Sequence, residues 1–219
     1  WRTTSRAGLL ALHPNPAFRK SSDTRNRDYA RERGFGVLSL NGSSGPLISH
    51  VPFLLNPEGD SLDLHLVRSN PILRLLKDGA QPAVIAVSGP DGYVSPDWYE
   101  LPDQVPTWNY VAVHLRGQIE TLPHEDMRAM LDRQSAHFEA LLPHKTPWVT
   151  DKMTPEVLEK MMRQIVPCRM TVTATEGTWK LNQNKPDDVR LRAADQMEAY
   201  GTGQEVRLLA ALMRGPFSP

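Results

Sequence analysis

The chain has 219 residues, with 25 lysines plus arginines and 25 aspartates plus glutamates, so its formal net charge is zero. Balanced charge provides no overall field that would draw the protein to nucleic acid or to a membrane surface, and no apolar run reaches the length of a membrane span. Cys168 is the only cysteine, which excludes an internal disulfide framework and favours a reducing, cytoplasmic location. Its strand-like, apolar surroundings predict a buried and inert thiol.

The first 22 residues are basic and contain no acidic side chain. We interpret residues 1–22 as a flexible leader, although an organellar transit segment has the same composition. The remainder, residues 23–219, is long enough for one domain with a sizeable core.

Short strands joined by tight turns dominate the next part of the chain. A charged helix is predicted over 23–33, ended by Gly34, and strands over 35–40, 46–55 and 61–67. Pro52 interrupts the second strand, which indicates a sheet edge, a bulge or a corner there. This pattern is typical of a barrel or a sandwich.

A helix start follows the third of these strands. Asn70 is a natural N-cap, Pro71 suits the first helical position, and Gly79 ends the helix. The apolar run 82–88 predicts a buried strand, and Gly89–Gly92 has the composition of a turn.

Five aromatic residues lie in the stretch from Tyr93 to Gly117. Its second half alternates as a strand, with Trp108 on one face and Thr107 and Asn109 on the other. Aromatic rings beside polar side chains suit a flat ligand. The rings can stack on the face of such a ligand, while Thr107 and Asn109 can form hydrogen bonds to its edge. The alternative is an aromatic cluster that seals one end of a barrel.

After this strand, the apolar residues again have the spacing of helices. We predict an inserted helical region at about 123–166, a strand over 168–175, a turn at Glu176–Gly177, and C-terminal helices at about 186–214, split at Gly201–Gly203.

Three polar clusters are candidate binding sites, and no strong catalytic or metal-binding motif accompanies them. Ser49 and His50 lie on the second strand, where a histidine is either a structural residue or a ligand contact. A strand end and helix start with an adjacent arginine can bind phosphate, or can be ordinary capping; this cluster comprises His65, Arg68, Ser69 and Asn70. Lysines and amides crowd the third cluster, Trp179–Lys185, which can contact a phosphate or the edge of a ring.

Several segments together resemble the PaiB family of the FMN-binding split-barrel superfamily. They occur in the family's order and are LISHVPFLL (47–55), LHLVRSNP (64–71), YVSPDWY (93–99), VPTWNYVAVHLRG (105–117) and KLNQNKP (180–186). The resemblance implies an α+β fold built on a six-stranded split barrel, which forms a homodimer and binds FMN between its subunits.

The resemblance also implies the cofactor contacts. The second strand would lie along the isoalloxazine through Ser49, His50 and Val51. The ribityl phosphate would face His65, Arg68, Ser69 and Asn70. The partner subunit would supply Trp108, Asn109 and the stretch that contains Lys180, Gln183 and Lys185.

Two functions remain open at this stage. PaiB-type proteins are described as negative transcriptional regulators, but the only basic surplus available for DNA lies in residues 1–33, where eight arginines and lysines face three acids. The alternative is a flavin-dependent oxidoreductase or flavin reductase-like enzyme acting on a small flat substrate. Haem in place of flavin is a third possibility, and the sequence does not decide whether the protein is an enzyme.

Overall fold

The structure is a computed structural model that describes residues 13–215, so residues 1–12 of the predicted leader lie outside it. The described chain divides into two compact units. Unit 1 comprises residues 13–26, 88–114 and 176–215, and unit 2 comprises residues 27–87 and 115–175.

The described residues form eight β-strands and six α-helices. The strands are β1 (Phe35–Gly42), β2 (Gly45–Pro52), β3 (Leu54–Leu55), β4 (Ser61–Val67), β5 (Gln81–Val94), β6 (Thr107–Thr121), β7 (Ile165–Lys180) and β8 (Gly203–Gln204). The helices are α1 (Asp23–Arg33), α2 (Ile72–Leu75), α3 (Met127–Glu139), α4 (Pro155–Met162), α5 (Asp187–Tyr200) and α6 (Val206–Arg214).

All eight strands belong to one sheet, in the order β2-β1-β5-β6-β7-β4-β3, with β8 paired to β5. The pairs β1/β2, β1/β5, β3/β4, β4/β7 and β5/β8 are antiparallel. The α+β class is therefore confirmed. The predicted count of six strands is not confirmed, because β3 and β8, of two residues each, raise the number of strands to eight. Within residues 13–215, β2 and β3 are the two ends of the path, so the sheet is open.

The break at Pro52 is confirmed. β2 ends at this residue and β3 begins at Leu54. Between them, the backbone N–H of Phe53 donates to the carbonyl of Gly34 at 2.9 Å, one step beyond the last pair of β1 and β2, Phe35 with Pro52. A proline lacks the N–H that continued pairing would require.

Two predicted turns are wrong, because β5 and β7 run straight through them. Asp91 and Gly92 pair with β8 instead of turning, and a side chain at Gly92 would meet Met197 at 2.8 Å. A Cβ at Gly177 would lie only 2.1 Å from Asn26 Oδ1. These glycines allow close approach of a neighbouring element, which is another use of glycine besides turns.

The helices follow the predictions more closely. α1 has the predicted bounds, α3 and α4 lie between β6 and β7, and α5 and α6 are separated at Gly201–Gly203. α2 is much shorter than expected: it has four residues and continues as a single 3₁₀ turn to Asp78, before Gly79 takes a φ of +104°.

The core of unit 2 is formed by alternate residues of its strands, such as Leu38, Leu64, Ile85 and Leu115, all fully buried. Cys168 lies in the same core, and burial raises the pKa of its thiol to about 12, as expected for an inert cysteine. Across residues 13–215, no helix is both long enough and apolar enough to cross a membrane.

Candidate functional site

Two of the predicted contacts meet in unit 2, where β2 lies near the end of β4. The Asn70 amide nitrogen donates to Ser49 Oγ at 2.8 Å, and the Asn70 amide oxygen accepts from the backbone N–H of Ile72 at 3.0 Å. The predicted capping role of Asn70 is confirmed by this second bond. The first bond fixes the Ser49 hydroxyl beside the start of the helix.

The helix terminus itself contributes less than the sequence suggested. With four residues, α2 has too few aligned peptide groups for an appreciable dipole, and Asn70 already occupies the N–H of Ile72. Any anion bound here would therefore depend on side chains and not on the helix end.

Arg68 provides the positive charge at this place. Its Nε donates to the carbonyl of Arg163 at 2.8 Å and its Nη2 to the carbonyl of Ile165 at 3.4 Å. These carbonyls follow the end of α4, so they hold the guanidinium in a defined position while the side chain stays exposed to solvent. Ser69, the next residue, is also exposed.

His50 and Val51 point to opposite faces of β2. Val51 is 3 % exposed and belongs to the core, whereas His50 is exposed, and its ring centroid lies 6.5 Å from that of Phe35. Of this pair, only the His50 side chain is open to a ligand.

His65 is held on the face of β4 that α3 covers. Its Nδ1 lies 3.3 Å from the Gln134 amide oxygen, and the Gln134 amide nitrogen donates to the Asp63 carbonyl at 3.0 Å. Because that second bond fixes the amide orientation, His65 Nδ1 carries the proton and donates it. Burial lowers the pKa of His65, an effect that the bond to Gln134 partly opposes. The structure thus groups His65 with α3, apart from Arg68 and Ser69.

In unit 1, the aromatic stretch does not form a closed core. Tyr99 is 2 % exposed, but Trp108 is 49 % exposed and Tyr93 39 %. The Trp108 and Tyr93 rings meet edge to face, with centroids 6.4 Å apart. The hypothesis of an aromatic cluster sealing a barrel is therefore wrong for this pair, whose rings face outward.

Asn109 lies on the opposite face of β6 and has no exposed surface. The predicted alternation of this strand is confirmed, and it carries the Asn109 amide into the interior. A ligand outside unit 1 would reach that amide only if the residues that cover it moved.

The Lys180–Lys185 stretch is braced by its own unit. Lys180 Nζ donates to Thr107 Oγ1, and Lys185 Nζ donates to the Gln104 amide oxygen while lying 4.8 Å from the Tyr99 ring centroid. Burial lowers the pKa of Lys180. Gln183 closes the loop, since its amide oxygen accepts from the N–H of Leu181 at 2.8 Å and its amide nitrogen donates to the carbonyl of Trp179.

Sequence reasoning missed two buried bonds that shape this stretch. The Tyr99 hydroxyl donates to Asn182 Oδ1 at 3.2 Å, and Asn182 takes a left-handed φ of +62°. The Trp179 indole donates to Asn26 Oδ1 at 2.8 Å. The only sequence signal for either was Asn182 itself, because asparagine tolerates the left-handed region.

Comparison with known proteins identifies the type of fold. The family described as "Putative FMN-binding domain" matches residues 12–174. Protease synthase and sporulation protein PAI 2 of Bacillus subtilis is 27 % identical over 177 residues, which cover 78 % of this chain and 82 % of that protein.

Solved structures of flavin proteins share the fold. A FAD- and haem-binding protein from Mycobacterium smegmatis matches with a TM-score of 0.55 and 19 % identity, covering 85 % of this chain and 82 % of its own. The flavocytochrome Anf3 of Azotobacter vinelandii matches with a TM-score of 0.50 and 14 % identity, and the match covers 73 % of this chain and 68 % of that protein's chain. At these identities the likeness concerns the fold alone.

Proposed function

The chain belongs to this FMN-binding family, whose match spans well over half of it, and from that premise we propose that it is a homodimeric FMN-binding regulator of the PAI 2 type. The predicted family is thereby confirmed, and FMN is the cofactor that family membership supports. The regulatory role and the homodimer are proposals. The single observation that carries the proposal is the family match, and the exposed cation and hydroxyl groups around Arg68 are consistent with it.

The donor set in unit 2 fits FMN. A phosphate ester needs a cation and hydrogen-bond donors, which Arg68 and the exposed Ser69 provide. Ribityl hydroxyls need groups that both donate and accept, and Ser49 with Asn70 offers these within 2.8 Å of each other. We assign the phosphate to Arg68 and Ser69, and the ribityl chain to Ser49 and Asn70.

The exposed His50 extends this surface along β2, where it would face the ring system. FMN, when bound, supplies reversible redox chemistry, and the protein contributes binding and orientation. His65 and Val51 act indirectly, by fixing β4 and β2. The further expectation from the resemblance, that a second copy supplies Trp108 and the Lys180–Lys185 stretch, stays a prediction.

Exposed apolar side chains support the dimer. β2 lies at one end of the sheet path and carries Ile48, which is 59 % exposed, while Phe35 on neighbouring β1 is 54 % exposed. In unit 1, Trp108 and Val105 are exposed as well. An uncovered sheet edge with large apolar side chains invites association, and a second copy of the chain would cover it.

Direct DNA binding through α1 receives little support from the contacts of its arginines. Arg25 stacks on the Trp179 ring at 4.1 Å, Arg27 donates to the Glu58 carbonyl at 3.4 Å, and Arg31 donates to the Asn56 carbonyl at 3.0 Å. Three of the arginines that make this segment basic are therefore already in contact with other parts of the protein. Regulation would then act through a partner protein or through residues 1–22. A DNA-binding assay on the full chain and on a chain lacking residues 1–22, at two salt concentrations, separates these routes.

The outward-facing pair Trp108 and Tyr93 favours a second candidate function, a flavin-dependent oxidoreductase. Two exposed rings provide a surface on which a flat substrate can stack. Anaerobic titration with NADPH tests this candidate: rapid bleaching of the flavin band supports an enzyme, and unchanged absorbance argues against it.

The main proposal is tested by sedimentation velocity recorded in the visible absorption band of flavin. One chain has a mass of 24.6 kDa, and the flavin-bearing species should sediment with about twice that mass. Flavin that sediments with a single chain would contradict the dimer. A Soret band in place of the flavin spectrum would indicate haem and contradict the cofactor.

A further inference from the structure

We propose that unit 2 carries a second binding site, for a small organic anion with an apolar body, in a cleft between α1, α3, β3, β4 and β7. The cleft has a volume of about 740 Å³. The argument uses six of its lining residues, which are Arg31, Leu54, Leu55, Asp63, Arg133 and Arg169. None of them is among the residues assigned to FMN.

Asp63 lies at the centre of the polar side of this cleft. Arg169 binds its carboxylate through two bonds, Nε to Oδ1 at 2.7 Å and Nη2 to Oδ2 at 3.0 Å, and Arg133 Nη2 binds Oδ2 at 2.7 Å. Burial by itself would raise the pKa of Asp63, but the two guanidinium groups outweigh it and lower the pKa. Asp63 is therefore an anion across the physiological pH range.

One carboxylate does not use the full capacity of two guanidinium groups. Each has five N–H donors, and the Nη1 groups of Arg133 and Arg169 have no acceptor within the part of the chain that the structure describes. The side chains of Arg133 and Arg169 are 50 % and 42 % exposed. Arg31 also lines the cleft, but its charge is balanced by Asp28, since Arg31 Nη1 lies 2.6 Å from Asp28 Oδ1. Asp126 and Glu120 lie near Arg169 as well and help to raise the pKa of its guanidinium, so the positive charge most available to a ligand is that of Arg133.

Apolar side chains adjoin these charges. Leu54 and Leu55 of β3 also line the cleft, and Leu54 pairs directly with Asp63 across the two strands. Planar guanidinium groups suit carboxylate or phosphate groups, and an apolar wall suits a hydrocarbon or aromatic body. The ligand expected from this combination has one anionic group attached to a short apolar part.

Asp63 also links α3 to β4 and β7, and a purely structural ion-pair cluster would have the same bonds. The two roles differ in one consequence. If the cleft binds anions, Asp63 competes with the ligand for the same donors, so its neutralisation strengthens binding. A cluster with only a structural role would gain no ligand affinity from that change.

Calorimetric titration of the full chain with phenyl phosphate, in excess FMN to fill any flavin phosphate site, is the test. Asp63→Asn should raise the affinity roughly threefold or more, because a like charge near the ligand is removed. Arg133→Gln should lower it about tenfold, the loss expected for one charge-assisted hydrogen bond. Arg128→Gln, on the same helix but paired with Asp132 and outside the cleft, should leave it unchanged.

Inorganic phosphate and benzyl alcohol each lack one half of the ligand and should bind more weakly than phenyl phosphate. Arg133 is half exposed, so its substitution leaves the fold intact even where Asp63→Asn destabilises it. The proposal is overturned if phenyl phosphate does not bind, or if it binds the wild type, Asp63→Asn and Arg133→Gln proteins with equal affinity.

Discussion

Substitution of Arg68 by glutamine tests the assignment of the FMN phosphate. The change removes the only charge of the predicted phosphate cluster, while glutamine retains a polar side chain of similar reach. A hydrogen bond to a charged group contributes roughly 1.5–3 kcal/mol, which corresponds to about a 10- to 150-fold change in affinity.

The structure places the expected effect near the lower limit. Arg68 is exposed, and its Nε and Nη2 already donate to the carbonyls of Arg163 and Ile165, so only part of the guanidinium is available to a phosphate. We predict that FMN affinity falls about tenfold. Loss of the two carbonyl bonds should also lower the melting temperature by about 2–4 °C, as expected for roughly 1 kcal/mol in a chain of this size.

Parallel titrations with FMN and riboflavin, followed by quenching of flavin fluorescence, isolate the contribution of the phosphate. Arg68→Gln should weaken FMN binding and leave riboflavin binding unchanged. Arg74→Gln is the matched control, because it removes the same charge from an exposed position six residues away. Equal losses for FMN and riboflavin, or an equal loss in the control, would refute the assignment.

Three other predictions concern stability and reactivity. Because the folded-state pKa of His65 lies below its usual value, its contribution to stability is present above about pH 6.5 and is lost as the pH falls below that value. Urea unfolding at pH 7.5 and 5.5 should show a smaller difference for His65→Gln than for the wild type; an equal difference would show that His65 is not responsible. Gly177→Ala places a Cβ against Asn26 Oδ1 and should cost about 1–3 kcal/mol in the free energy of unfolding, measured by urea, and wild-type stability would contradict the close approach. Cys168, whose pKa is raised to about 12, should react with Ellman's reagent only after denaturation, and rapid labelling of the native protein would contradict its burial.

Local patterns predicted the strands and helices best. The alternation in β4 and β6, the chain break after Pro52 and the split between α5 and α6 follow from side-chain spacing and from proline and glycine chemistry. The same patterns were wrong at Gly92 and Gly177, because a glycine that allows close approach of another element has the same local signature as a glycine in a turn.

The candidate site was harder to predict, because its partners lie far apart in the sequence. Ser49 is hydrogen-bonded to Asn70, which lies 21 residues later in the chain and is brought close only by the fold. His65 is hydrogen-bonded to Gln134 of α3 and so does not join the predicted phosphate cluster. Asp63 was overlooked, although a charged residue on the same strand face as His65 indicates a polar layer. Spacing along the chain gives the face of a strand, and only the fold shows what covers that face.

Titration of flavin-free protein with FMN, followed by flavin fluorescence, tests the central claim most directly. We predict saturable quenching with an end point of one FMN for each chain. Fluorescence that stays unchanged up to a large excess of FMN would contradict the claim that this protein binds the cofactor of its family.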